Sequence, residues 1–182
     1  MERLKKLLPA LILLIAIICI ILIIFSIRKN KKSELDIFYS DEITSDYEDI
    51  RKLSADYNIY DAQTDKCLIV GAMVHNENVY GEFMDNFKNG RDAFVRIARS
   101  TENKDLVIFD IMYKSSTKEF KLVTDYTRDT SKNTEDRIIK LSNYKNISEY
   151  KYNESTYLVL YNGELNDETF NSENVFKVVT LY

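Results

Sequence analysis

The sequence predicts an α+β fold: an N-terminal transmembrane helix followed by one domain with a mostly antiparallel or mixed sheet of about seven strands and one main helix packed on it. Three observations carry this prediction. The run from Leu7 to Ile27 holds 21 residues without a charge, which at about 1.5 Å per residue crosses the roughly 30 Å hydrocarbon core of a bilayer. Beyond it, short stretches rich in β-branched and aromatic residues recur, joined by polar turns too short for parallel crossovers. A single well-formed amphipathic helical stripe comes after the first of these strands, and segregated strands and helix of this kind form α+β layers.

The apolar run is too long for a cleaved signal peptide and ends in Phe25-Ser26-Ile27-Arg28-Lys29 rather than in a small-residue cleavage site. Pro9 lies in its first turn, where its missing N–H costs little. Arg3, Lys5 and Lys6 precede the run and Arg28, Lys29, Lys31 and Lys32 come after it. Flanking charge is therefore nearly balanced, and a short N-terminal tail that stays inside places the domain outside the cell membrane, single-pass and extracytoplasmic. A cytoplasmic-facing domain stays open as the alternative. The division that results is a basic tail at 1–6, the span at 7–27, a basic then acidic stalk at 28–64 and the α+β domain at 65–182.

The stalk has eight acids and two bases between Ser33 and Asp56, the composition of a solvated segment. Ser45 to Glu48 has capping-box spacing, and Ile43, Tyr47, Ile50 and Leu53 share a helical stripe, which predicts a short helix packed on the domain. Residues 67–74 then read as a strand covered on both faces. A helix comes next, capped by Asn76 or Asn78, burying Val79, Tyr80, Phe83, Met84 and Phe87, and stopped at Asn89-Gly90. Residues 93–100, 106–114 and 120–126 form a predicted meander; 137–142, 156–161 and 175–182 complete the seven strands.

Residues 33–182 hold 18 basic and 28 acidic side chains, a formal balance of −10. Such a surface repels phosphate backbones, so nucleic acid is not an expected partner. The two cysteines, Cys19 in the apolar run and Cys67 in the domain, imply no disulfide. One histidine, His75, excludes a multi-histidine metal site, and a lone His at a strand-to-helix junction reads as a turn or capping residue. With four glycines in all, there is no phosphate-cradling loop, nucleophile elbow or dinucleotide fingerprint. No cofactor and no metal are predicted. Glu102, Asp105, Asp110, Asp125 and Asp129 are the carboxylates whose proximity would suit general acid–base work.

The richest polar detail lies in Arg96, Arg99 and Glu102, and two strands later in Asp125, Arg128 and Asp129. If the intervening strands form a meander, the first and third lie on the two sides of the second and both groups converge on one edge of the sheet. They are the candidate binding residues, either as a polar recognition surface or as cross-strand pairs and turn formers that set register.

Phe83 to Phe87 with Gly90, then Val95-Arg96-Ile97, Thr101-Glu102 with Asp105, and Asp125-Tyr126-Thr127-Arg128-Asp129 resemble words of the bacterial domain-of-unknown-function family 4362, over about residues 65–161. The resemblance implies a small envelope protein, usually a lipoprotein or one with an export segment, and brings no activity with it. Asn103-Lys104-Asp105 stands where the family pattern has Gly-Asp-Pro, and paired cysteines near the C-terminal strands are absent. The expected function is a membrane-anchored, non-catalytic binding or accessory module for a protein, peptide or wall component. The alternative is an extracytoplasmic enzyme using carboxylates or a metal, with a deep pocket lined by at least two acids from different strands as its signature.

Overall fold

The computed structural model describes residues 17–20, 32–71 and 74–180. The chain divides into two compact units, Met1–Phe38 and Tyr39–Tyr182. In the first, residues 17–20 are helical; the rest of the predicted span at 7–27 lies outside the described residues, among which no helix is long and apolar enough to cross a membrane. A short helix α1 (Glu34–Tyr39) opens on a reciprocal cap, in which the Asp36 N–H donates to Ser33 Oγ and the Ser33 N–H donates to Asp36 Oδ2.

The second unit is α+β, but among the described residues its strands number eight and form two sheets rather than one sheet of about seven. Strands β1 (Leu68–Val70), β2 (Ala93–Ser100), β3 (Leu106–Lys114), β4 (Glu119–Asp125) and β5 (Ile139–Tyr144) stand in that order in a five-stranded sheet. β6 (Asn146–Tyr152), β7 (Ser155–Tyr161) and β8 (Val175–Thr180) form a three-stranded one. All neighbours are antiparallel except β1 and β2. That parallel pair needs a crossover, which α3 (Glu77–Lys88) supplies; α2 (Ile59–Thr64) precedes β1. The strand missing from the sequence prediction is β6.

Alternation along the strands makes two buried faces. On one, Val95, Ile97, Val107, Phe109, Ile111, Phe120 and Leu122 pack with Phe83 of α3 and with Ile147, Leu158, Leu160 and Val178 of the smaller sheet. Helix α3 stops as its sequence predicts: Gly90 adopts φ +65° and its N–H donates to the Phe87 carbonyl. Its start differs. Asn76 sits at the cap position in the left-handed region and makes no cap bond; its amide donates instead to the carbonyls of Cys67 and Gln63, tying the helix entry to β1.

The other face is covered by residues 39–64, most of the segment with a stalk-like composition. Ile50, Leu53, Tyr57 and Ala62 are buried there, and Tyr47 lies against Phe94 of β2 with ring centroids 4.7 Å apart. No helix forms over 43–53. The chain instead makes two single 3-10 turns, Glu42–Thr44 and Ile50–Lys52, each opened by an aspartate, Asp41 or Asp49, that accepts a backbone N–H. The capping box belongs to Asn58 and Asp61, at the start of α2, not to Ser45 and Glu48.

Candidate functional site

The meander brings the turn between β2 and β3 and the loop after β4 to the same end of the sheet. Asp105 in the turn accepts hydrogen bonds from the backbone N–H and hydroxyl of Thr130 in the loop, which fastens the two together. The six candidate residues divide into three groups around this junction.

Arg96 and Asp110 are directly opposite on β2 and β3. The guanidinium donates from Nε and Nη2 to the two carboxylate oxygens at 2.7 Å each, and Nη2 also donates to the Glu48 carbonyl at 2.7 Å. The Tyr39 hydroxyl donates to Asp110 at 2.7 Å, and the Tyr47 ring centroid lies 5.3 Å from the guanidinium carbon. Burial by itself would push Arg96 down, but the adjacent Asp110 outweighs it and holds the guanidinium charged. Burial, reinforced by the same carboxylate, keeps the Tyr39 phenol neutral. Arg96 is thus a register and cover-fixing residue closed to ligands, and Asp110 is not available as an acid or base.

Asp125 and Arg128 pair with each other, and Asp125 also accepts from the Thr127 N–H and hydroxyl. Arg128 donates through Nη2 to the carbonyls of Leu53 and Ser54 and faces the Tyr57 ring at 5.8 Å. Its Nε is buried with no acceptor among the described residues. This arginine clamps the covering segment onto the sheet and still reaches the wall of a cleft.

Arg99, Glu102 and Asp129 share a shallow polar concavity of about 350 Å³ with Ser131. Arg99 donates to the Val178 carbonyl at 3.1 Å with its guanidinium 5.0 Å from the Phe109 ring centroid. Asp129 accepts from the Ser131 N–H and hydroxyl, so it shapes the loop. Glu102 is exposed at the turn.

The wider opening is a cleft of about 1010 Å³ between the covering segment and this end of the sheet. Leu53, Tyr57, Ile59 and Tyr60 line one wall; Lys104, Leu106, Arg128 and Ile139 line the other. Tyr60 is 78% exposed at its rim. Tyr57, Tyr60, Arg51 and Lys104 were not among the sequence candidates. The signal for Tyr60 is the Asn58-x-x-Asp61 cap, which starts α2 so that Ile59 and Tyr60 meet the opening; no local signal marks Arg51 or Lys104. The two acids of the cleft, Asp56 and Asp105, are both held below the usual carboxylate range. The Ser54 side chain does this for Asp56, and Thr130 for Asp105. A general acid at neutral pH requires the opposite shift. No group of three or more His, Cys, Asp or Glu placed to hold a metal occurs among the described residues.

Cys67 lines neither opening and lies behind Tyr57 of the cleft wall. It is fully buried with its sulfur 3.8 Å from the Tyr57 hydroxyl, and burial pushes the thiol up to about 12. A thiol so raised carries almost no thiolate at neutral pH. In a Cys19→Ser chain, Cys67 is expected to react with iodoacetamide at pH 8 only as fast as the domain opens. Labelling at the rate of a small-molecule thiol would overturn that.

Comparison with family models, with curated proteins and with solved structures gave no match for this chain.

Proposed function

We propose that this chain is a membrane-anchored envelope protein whose folded unit is a non-catalytic binding module, taking a segment of a protein, peptide or wall component in the cleft at the end of the five-stranded sheet. The carrying observation is the cleft itself. It is open, of the size of ligand sites, walled by tyrosine and aliphatic side chains, and studded with basic groups. Its two acids titrate in the direction that keeps them ionised and hydrogen-bonded, which suits recognition better than proton transfer.

The tether rests on the uncharged run from Leu7 to Ile27, and the envelope setting on the family words between Phe83 and Asp129. An extracytoplasmic domain is the topology this reading adopts. It is tested on intact cells by protease digestion: the domain is expected to be removed, and protection would reverse the topology. The binding role is tested in native membranes with a photo-crosslinking benzoylphenylalanine at Tyr60. Discrete adducts are expected there and not at exposed Ser116, which lies in the turn at the opposite end of β3. Identical patterns at the two positions would sink the cleft as the recognition surface.

A further inference from the structure

A third concavity, sharing no lining residue with the other two, lies between α3, β1 and β6 and holds about 240 Å³. Buried Leu68 and Val70 give it an apolar floor and exposed Val74 an apolar edge; Glu77 and Tyr80 of α3 and Glu149 of β6 complete its lining. Glu77, Tyr80 and Gly81 are three and four residues apart, so one face of α3 presents them together. The Tyr80 hydroxyl donates to one oxygen of Glu149 at 2.8 Å, which fixes that carboxylate beside the opening.

Gly81 is the unexpected residue in this wall. It sits in the interior of a helix of 12 residues, where only proline is a poorer choice. Neither backbone nor packing demands it: no positive φ is needed there, and an added Cβ would meet nothing within 4 Å among the described residues. What the missing side chain does is leave the pocket open, since Gly81 belongs to its lining. The pocket is smaller than the range typical of whole ligands, and its size matches one extended side chain.

We infer that this pocket accepts a lysine side chain presented by a partner polypeptide. The methylene stem lies on Leu68, Val70 and Val74, and the ammonium sits between the carboxylates of Glu77 and Glu149. An apolar floor under a two-carboxylate rim is complementary to that side chain, whose stem covers apolar surface while its head stays near water. A compact ammonium also answers two separate carboxylates, whereas a guanidinium is suited to one carboxylate held in its fork. The formal balance of −10 over residues 33–182 adds attraction for a basic segment.

The test is a titration of the full-length, 15N-labelled chain in detergent micelles with an acetylated, amidated Gly-Lys-Gly peptide. The amides of Gly81 and Val70 are expected to shift and saturate in the millimolar range, as a single side chain would give. The same peptide with norleucine for lysine should bind roughly tenfold more weakly, and the Glu77→Gln/Glu149→Gln double variant should lose about as much for the lysine peptide. Gly81→Leu should abolish the shifts at Val70 while its Tm stays at or above that of the parent, because leucine favours the helix. If Gly81→Leu proves unstable, the double glutamine variant carries the comparison. Absent shifts, equal binding of the norleucine peptide, or unchanged binding by a folded Gly81→Leu chain each overturn the inference.

Discussion

Asp110→Ala is expected to destabilise the folded unit by about 3–5 kcal/mol, the cost of leaving a buried charge without its partner. Arg96 and Asp110 have side chains 1% and 0% exposed, so water cannot replace the lost carboxylate. The Tyr39 hydroxyl loses its acceptor in the same step, and the Arg96 bond to the Glu48 carbonyl is left beside an uncompensated cation. The pair therefore joins three pieces: two central strands and the segment that covers them. Replacing both partners by apolar residues of similar volume, as in Arg96→Met/Asp110→Leu, is expected to recover most of the loss, since buried pairs exchanged for packed hydrophobes are often neutral or better. Urea unfolding of the parent, of Asp110→Ala and of the Arg96→Met/Asp110→Leu chain checks both statements. A loss below about 1 kcal/mol in Asp110→Ala would show that the covering segment, not the ion pair, holds this face.

Phe109→Ala is expected to cost about 3–5 kcal/mol, the range for emptying an aromatic site in a packed core. Phe109 is fully buried at the centre of β3. Its ring meets Tyr126 edge-on with centroids 6.4 Å apart and Phe176 at 6.0 Å, so it bridges the two sheets and the root of the loop that carries Arg128 and Asp129. It is also the ring under the Arg99 guanidinium. Truncation leaves a cavity at the sheet-to-sheet contact and removes that support at once. Phe109→Leu, closer in volume, should lose no more than about 1.5 kcal/mol. Thermal and urea melts of the two variants decide the matter, and similar small losses in both would mean that the smaller sheet is not docked through this ring.

The meander was legible because its chemistry is local. Residues 93–100 place Val95 and Ile97 on one face, residues 106–114 are apolar on both faces for most of their length, and the polar join between them suits antiparallel neighbours. Their observed bounds coincide with that reading. Asp110, which the sequence offers only as one of five candidate acid–base carboxylates, proves to lie opposite Arg96. Strand β6 was not legible. Asn146 to Tyr152 mixes Ser, Glu and Lys with Tyr, and only Ile147 in it is buried. Its aromatic face is stabilised by a residue far along the chain: Tyr152 stacks on Phe170 with ring centroids 4.3 Å apart, a contact that no window around residue 150 contains.

The candidate site was half legible for the same reason. That Arg99, Glu102, Arg128 and Asp129 reach one end of the sheet follows from strand order. Which of the six residues meet solvent does not, because that depends on what covers each face. The covering layer comes from residues 39–64, whose acids give the segment the composition of a solvated stalk. Four buried apolar residues, Ile50, Leu53, Tyr57 and Ala62, dock it, while aspartates at the starts of its short turns satisfy backbone N–H groups.

The sequence by itself determined the α+β class, the apolar run before the domain, the acidic balance of residues 33–182, and the three central strands. Each of these is written in patterns a few residues long or in composition. Only the tertiary structure decided that Arg96 and Asp125 are internal fasteners, that the segment beside Tyr57 and Tyr60 forms one wall of the cleft, and that Gly81 opens a pocket. Those outcomes depend on burial, which contacts between segments far apart in the chain decide: the Glu48 carbonyl reaches Arg96, and the Leu53 and Ser54 carbonyls reach Arg128.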